Sequence, residues 1–336
     1  MAFFYVTVAG AGDNSGDSWA NAMTISEFES LLENTINAGD VVWVAGGTYT
    51  CSSIIDTSRN GTTTGSISIV GVNASTTNEP PIFSDWASGT DRPLFNCSAG
   101  VHIDFGYYYI TVGLRITGTY NGSLWTSGAY SLVYNCAVIN VYNNSGANSI
   151  YGLSSARIIN CEVEATYGYG MVIGDYAYVY GCYAHDSVIG IKCGKYSTVS
   201  MSIIDTCSTA GFYIDSYSDN TDLTNNTIYN CGSGIKFDNG AVACTVINNT
   251  ISDCTNGFIS DSSGTVYTNI WFDYNNWYNN TYDMSWDNGS SEDNSAKGYN
   301  ALAVNPNFTD ASNGNFSLSS SSDLIGAGLA ITLGVS

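Results

Sequence analysis

Val133-Tyr-Asn135-Cys136-Ala-Val138 decides the reading of this chain, because the same frame keeps returning. It comes back as Ile158-Ile-Asn160-Cys161-Glu-Val163 and as Val179-Tyr-Gly181-Cys182-Tyr-Ala184. Further on it is Val199-Ser-Met201-Ser202, Leu223-Thr-Asn225-Asn226-Thr-Ile228 and Val246-Ile-Asn248-Asn249-Thr-Ile251. The period is about 23 residues, within the range of one stacked repeat unit. A second feature keeps pace with the first. Cys207, Cys231 and Cys254 follow the Cys/Asn position of their coils, and a glycine then opens an apolar-x-apolar run. Examples are Gly170-Met-Val-Ile173, Gly190-Ile-Lys-Cys193, Gly211-Phe-Tyr-Ile214, Gly234-Ile-Lys-Phe237 and, more loosely, Gly257-Phe-Ile-Ser260.

Each coil therefore reads as short strands of alternating pattern split by tight turns. One coil cannot bury its apolar side alone, so coils must stack at about 4.8 Å with like residues over like. The recurring Asn suits a turn, since Asn tolerates left-handed backbone and its amide can bond the Asn above and below. The recurring Gly is expected at a further turn with positive φ. Cys is small and apolar enough to stack inside. The predicted fold is all-β: a single-stranded, right-handed parallel β-helix of coils of about 23 residues. Residues 1–50 read as an N-terminal cap and first coil, 51–290 as the β-helix, and 291–336 as a closing coil or cap.

The bulk numbers agree with a folded, acidic protein. Of 336 residues, 44% are hydrophobic and only 11% charged, with 8 Lys and Arg against 29 Asp and Glu. A net charge of −21 repels phosphate backbones and anionic membrane surfaces, so neither nucleic acid nor membrane is an expected partner. No stretch reaches the roughly 18 apolar residues of a membrane span. No basic n-region and apolar h-region open the chain, so either the protein is assembled in a cytoplasm or a leader has been removed. The 10 Cys fall on the repeat register, which favours reduced, buried thiols over a disulfide framework.

A solenoid leaves an open sheet edge at each end, and that edge needs a cover. Thr24-Ile-Ser26-Glu-Phe28-Glu29-Ser-Leu31-Leu32 reads as a short amphipathic helix with Ser26 and Glu29 as a capping box. Phe28, Leu31, Leu32 and Ile36 share one face, as a lid on the first coil requires. At the other end, Asn305-Pro-Asn-Phe308 and Asn313-Gly-Asn-Phe316-Ser-Leu318 read as a last turn closing the stack.

Tyr5-Val-Thr-Val-Ala-Gly-Ala-Gly, Ser18-Trp19-Ala-Asn-Ala22 and Ala38-Gly-Asp-Val-Val-Trp-Val-Ala-Gly-Gly-Thr-Tyr49 resemble the N-terminal segment of the pectate-lyase-like right-handed β-helix superfamily. Asn305 to Gly328 resembles its C-terminal segment, so the resemblance spans nearly the whole chain. It implies the fold. Its members include polysaccharide lyases, glycoside hydrolases, adhesins and phage tail-spike or other virion proteins, so it does not by itself choose a function. The start of this chain, Met then directly the first strand, is similar to β-helix proteins of tailed phages.

The resemblance directs the search for chemistry to an outward column of cations or carboxylates. In Gly190-Ile-Lys192, Gly211-Phe-Tyr213 and Gly234-Ile-Lys236 the middle residue points away from the apolar pair, so Lys192, Tyr213 and Lys236 are expected to stack on one outer face. Two residues on, Asp215, Asp238 and Asp261 form an acidic column. Neighbouring coils put such carboxylates about 5 Å apart and alternate coils about 10 Å, which brackets retaining and inverting glycosidase geometry. Read plainly, Lys236 beside Asp238 is also an ordinary surface pair worth under about 1 kcal/mol. Proton abstraction beside a uronate carboxylate calls for clustered cations. No three of the 8 Lys and Arg share a register, and none matches the motif of the family's lyases. His185-Asp186 reads as a turn pair. Tyr134, Ile159 and Tyr180 are expected to face outward on adjacent coils as an interface stripe or a sugar platform, with Tyr107-Tyr-Tyr109 adding to it. No cofactor and no metal site are implied.

These readings lead to a structural virion-surface protein, a capsid decoration or tail spike subunit for stable display and attachment. Its partner would be a capsid or tail protein, with a homo-oligomer (a trimer by resemblance) and a host-surface glycan in view. The alternatives are a glycoside-hydrolase-type enzyme using Asp215, Asp238 and Lys236, and a secreted, extracellular adhesin.

Overall fold

A computed structural model describes residues 1–120, 122–139, 148–164, 167–215, 218–238, 241–260, 269–286, 291–292 and 297–329. The chain is an all-β parallel solenoid of about 10 turns with one short α-helix near the N-terminus. Three parallel sheets, here A, B and C, receive one strand each per coil. The residues group into two units, Met1–Tyr183 and Ala184–Ser336.

In the first unit, sheet A includes Phe3–Val6, Val41–Ala45, Ile67–Val72, Tyr109–Val112, Leu132–Tyr134 and Arg157–Ile159. Sheet C includes Ile55–Asp56, Ile103–Phe105, Ser123–Ser127, Asn148–Gly152 and Tyr169–Ile173. Val133 pairs with Ile158 and Ile158 with Val179, all three fully buried. Trp125 likewise lies between Ile103 and Ile150. In the second unit, sheet C runs Ile189–Cys193, Ala210–Ile214, Ser233–Phe237, Asn256–Ser260 and Tyr282–Trp286. Its inward column is Ile191, Phe212, Ile235, Phe258 and Met284, all fully buried. Burying each such side chain stabilises the fold by about 1.5–3 kcal/mol.

The recurring Asn sits where the sequence placed it. Asn135 and Asn160 in the first unit, and Asn225 and Asn248 in the second, all have φ between 52° and 59°. The residue after each turn points inward. It is Cys136, Cys161 and Cys182 in the first unit, and Ser202, Asn226, Asn249 and Asn275 in the second. Asn226 Nδ2 donates to Asn249 Oδ1, and Asn249 Nδ2 to Asn275 Oδ1, both at 3.0 Å. The same amides donate to Val199, Leu223 and Val246 carbonyls, so these buried polar groups are satisfied. All 10 Cys are buried and none is in a disulfide. Burial drives the Cys136, Cys182 and Cys231 thiols up, which makes these side chains packing groups, not nucleophiles.

The recurring Gly has another cause than the one expected. Gly190, Gly211, Gly234 and Gly257 open or enter strands and are not among the glycines with positive φ. A Cβ on Gly211 would lie 2.8 Å from the Gly234 carbonyl oxygen and 2.8 Å from Ile228 Cγ2. These positions are small because the next coil is close.

The helix α1, Ile25–Asn34, buries Phe28, Leu31 and Leu32, and Phe28 lies 6.3 Å from the Phe95 ring. It packs on Thr48–Cys51 and Ile55–Asp56, as a lid on the first coil should. Its capping box is Thr24 with Glu27, not Ser26 with Glu29, because the helix is capped two residues earlier than expected and Glu29 accepts from Ser53 Oγ at 2.6 Å instead. The far end also differs from expectation. Phe308–Asp310 and Asn315–Leu318 form an antiparallel hairpin whose Phe308 and Phe316 rings lie 6.1 and 5.4 Å from Tyr229, against the side of sheet B. Leu302 continues sheet B by a parallel bridge to Asn276.

Candidate functional site

In the second unit the outward column of sheet C forms as its alternation demands. Lys192 pairs with Tyr213, Tyr213 with Lys236, and Lys236 with Ile259. Ammonium groups stand to either side of the phenol: Lys192 Nζ is 5.5 Å and Lys236 Nζ 6.0 Å from the Tyr213 ring centroid. At these separations each cation is attracted to the ring face. Past the strand ends, the carboxylates take up the rest of the cluster. Asp215 Oδ2 lies 2.8 Å from Lys192 Nζ, and the Tyr213 hydroxyl donates to Asp238 Oδ2 at 2.8 Å. Asp238 N donates to Ile214 O at 2.9 Å, so the two Asp leave the sheet on adjacent rungs. The structure thus joins Asp215, Asp238 and Lys236, and adds Lys192 and Tyr213 as direct partners. Asp261, expected to extend the column, lies outside the described residues.

The first unit holds a carboxylate pair that the sequence reading passed over. Asp56 and Asp104 are register partners on the outward side of sheet C, each flanked by a buried Ile. Burial first, and the Asp56 charge second, raise the Asp104 carboxyl above its usual range, with His102 opposing. His102 shares the outer face with Asp104 by the two-residue period and stacks on Tyr120 with ring centroids 4.5 Å apart. A signal existed in Ile55-Asp56 and Ile103-Asp104-Phe105, both inward-outward patterns. It was hidden because the coil between them is twice the usual period.

Tyr134, Ile159 and Tyr180 do stand in one register on sheet A, each half-buried. Tyr134 packs against a cluster outside the solenoid made by Tyr5, Trp43, Val70 and Val112 with Trp19 and Trp86. His185 and Asp186 make the expected turn pair, with Nδ1 and Oδ2 at 2.9 Å and Asp186 at φ 49°. Among the described residues no cluster of three or more His, Cys, Asp or Glu is arranged to hold a metal ion.

Residues 99–277 match the family model described as right handed beta helix region. The sequence matches no curated protein. Among solved structures, the chain is similar to the pectate lyase Pel9A, with 15% identity, a TM-score of 0.58, and 99% of this chain and 92% of that one covered. It is similar to an alginate lyase from Paenibacillus sp. str. FPU-7, with 13% identity, a TM-score of 0.55, and 82% and 97% covered. It is similar to a GH136 lacto-N-biosidase from Eubacterium ramulus, with 12% identity, a TM-score of 0.56, and 90% and 67% covered. These findings overturn the expectation of a virion-surface display protein. The three structures named are two polysaccharide lyases and a glycoside hydrolase, and they favour the glycan-degrading alternative over display. The physical reason for the error lies in the fold: a capped, acidic β-helix is the same scaffold whether its outer face displays or cleaves.

Proposed function

The chain belongs to the right-handed β-helix family, and from that premise we propose that it is a polysaccharide-degrading enzyme working on the outer face of sheet C in its second unit. One observation carries the reading. Tyr213 stands in register between Lys192 and Lys236, with one carboxylate on Lys192 and another under the Tyr213 hydroxyl. Glycoside hydrolysis needs a carboxyl that protonates the departing oxygen and a second that attacks the anomeric carbon or activates water. Asp215 and Asp238 follow the paired residues Ile214 and Phe237, so their Cα atoms lie on rungs about 5 Å apart. Side chains carried on adjacent rungs can bring their carboxyls to the separation of about 5–5.5 Å at which the second carboxylate attacks directly. In this reading Asp238 exchanges the proton, with the Tyr213 hydroxyl orienting it, and Asp215 faces the anomeric carbon once the sugar displaces Lys192. Lys236 faces the negative charge that develops on the departing oxygen, while the two carboxylates offset the positive charge that builds on the sugar ring. The pectate, alginate and lacto-N-biosidase names of the similar structures support a carbohydrate substrate.

A second reading rests on the raised Asp104 carboxyl beside Asp56, an acid and base pair of the same kind in the first unit. One experiment separates the two. The purified chain is incubated with a panel of neutral and acidic polysaccharides, and new reducing ends and unsaturated uronate ends are both measured. The expected result is reducing ends without unsaturation, lowered at least about 100-fold by Asp238→Asn. Loss with Asp104→Asn alone would move catalysis to the first unit. Unsaturated ends would mean elimination, and no release from any glycan would sink the reading.

A further inference from the structure

In the first unit, sheet B opens with Thr48–Cys51, Leu94–Cys97 and Arg115–Gly118. These strands lie in register, with Tyr49 against Phe95 and Cys51 against Cys97. Each Cys ends its strand, and both are buried on the inward side. The two thiols are in hydrogen-bond contact. That contact first, and burial second, push the Cys51 thiol up. The third rung carries Gly118 in register with Cys97, and a Cβ there would lie 2.9 Å from Cys97 Cβ. The strand ends are therefore drawn close at this place, and the column holds two thiols and no third. Elsewhere the thiols interact in threes, Cys161 with Cys136 and Cys182, and Cys231 with Cys207 and Cys254. No pairing within a group of three uses every sulfur.

We infer that Cys51 and Cys97 close into a disulfide when the chain folds in the presence of a small disulfide oxidant, stapling the first two coils beneath α1. Register neighbours on parallel strands stand about 4.8 Å apart, inside the roughly 4.4–6.8 Å between Cα atoms that a disulfide spans. The Cβ atoms must approach to about 3.8 Å. Two strand ends followed by exposed Ser52 and Ser98 can lean together by that much. The reaction is exchange with oxidised glutathione. One Cys thiolate attacks a glutathione sulfur and expels one glutathione thiolate, and the other Cys thiolate then attacks the mixed disulfide and expels the second. Two protein thiols are oxidised, one glutathione disulfide is reduced to two thiols, and the two protons pass from the cysteines to glutathione. The raised thiol of the folded state sets the order, so closure precedes burial. The ring encloses Ser52 to Asn96, a coil about twice the usual length, and a larger ring removes more entropy from the unfolded chain. It also anchors the surface that the lid rests on, since α1 packs on Thr48–Cys51 and Phe28 lies beside Phe95. The link needs nothing from the proposed cleavage site in the other unit.

The test is a disulfide map. The full chain is unfolded with reductant, refolded in a buffer of reduced and oxidised glutathione, blocked with iodoacetamide and cut with trypsin without reduction. Trypsin cuts after Arg59 and Arg115 but not after Arg92, which precedes Pro93, so Cys51 and Cys97 fall on neighbouring peptides that hold no other Cys. The expected result is those two peptides joined, with the other eight Cys alkylated. The same map on chain exported to a bacterial periplasm serves if refolding fails. The oxidised chain is also expected to melt at least about 5 °C above the reduced one. Cys97→Ala is expected to remove both the joined peptides and that difference, whereas Cys161→Ala leaves both in place. Alkylation of all 10 Cys overturns the proposal, as does a dominant link within either group of three. Joined peptides without a rise in Tm overturn the staple, because the link would then constrain nothing that unfolds.

Discussion

Asp104 shows how one position in a stack acquires properties that its residue type lacks in isolation. Its outward place on sheet C is fixed by the buried Ile103 and Phe105 on either side. Its partner in register is another Asp, exposed, while partial burial withdraws water from Asp104 itself. Because the folded carboxyl titrates above its unfolded value, its contribution favours the fold at low pH and is lost as pH rises through the folded pKa. Asp104→Asn removes that term. The variant is expected to melt above the wild type at pH 7, with the difference vanishing below about pH 4, where Asp is protonated in the unfolded chain too. Thermal melts across that range check it, and an equal Tm difference at all pH values would refute it. Tyr213 makes the complementary point. Its phenol is unremarkable in sequence, yet register places it between two ammonium groups and on a carboxylate.

Among the elements, the strands of sheet C are limited by how near the next coil comes. Gly234 has no positive φ, so Ala imposes no backbone strain there. Its Cβ would instead meet Ile251 Cγ2 at 2.5 Å and the Gly257 carbonyl oxygen at 2.7 Å. Gly234→Ala is therefore expected to destabilise by about 1–3 kcal/mol through overpacking. Denaturant melts should show this, whereas a neutral or stabilising result would mean the coils can part cheaply. The periodic glycines were legible in the sequence, but their reason was not. A turn and a close approach both call for Gly, and only the neighbouring coil tells them apart. The helix illustrates the same limit at its start. Two capping boxes fit the letters, and the one formed is Thr24 with Glu27, while Glu29 is taken by Ser53 on a neighbouring segment.

For the whole molecule, edge protection dominates. The helix α1 lies on the first strands of sheets B and C, where unpaired backbone would otherwise meet solvent. It is tied at its C-terminus by Thr57 Oγ1 to Leu32 O, Ser58 Oγ to Glu33 O and Arg59 Nη2 to Asn34 O. Phe28 is fully buried beneath it. Phe28→Ala is expected to cost about 3–5 kcal/mol and to raise light scattering on warming, since loosening the lid exposes a template for strand addition. A melt of the usual temperature without aggregation would show that the lid is dispensable.

The sequence by itself determined the solenoid, its period, its inward columns and the outward stack of Lys192, Tyr213 and Lys236. These follow from local alternation, and a repeat reports local alternation many times over. It also determined the left-handed Asn turns, because a residue's backbone preference is its own property. Only the tertiary structure decided which carboxylates meet which partners, that Asp56 faces Asp104 across an irregular coil, and that the closing Phe308 and Phe316 hairpin lies along a side face. Those relations depend on how many residues each coil spends between strands, and loop length leaves no periodic trace. Function was the least legible, because a β-helix has the same inward requirements whatever its outer face does, and the repeat records the inward ones.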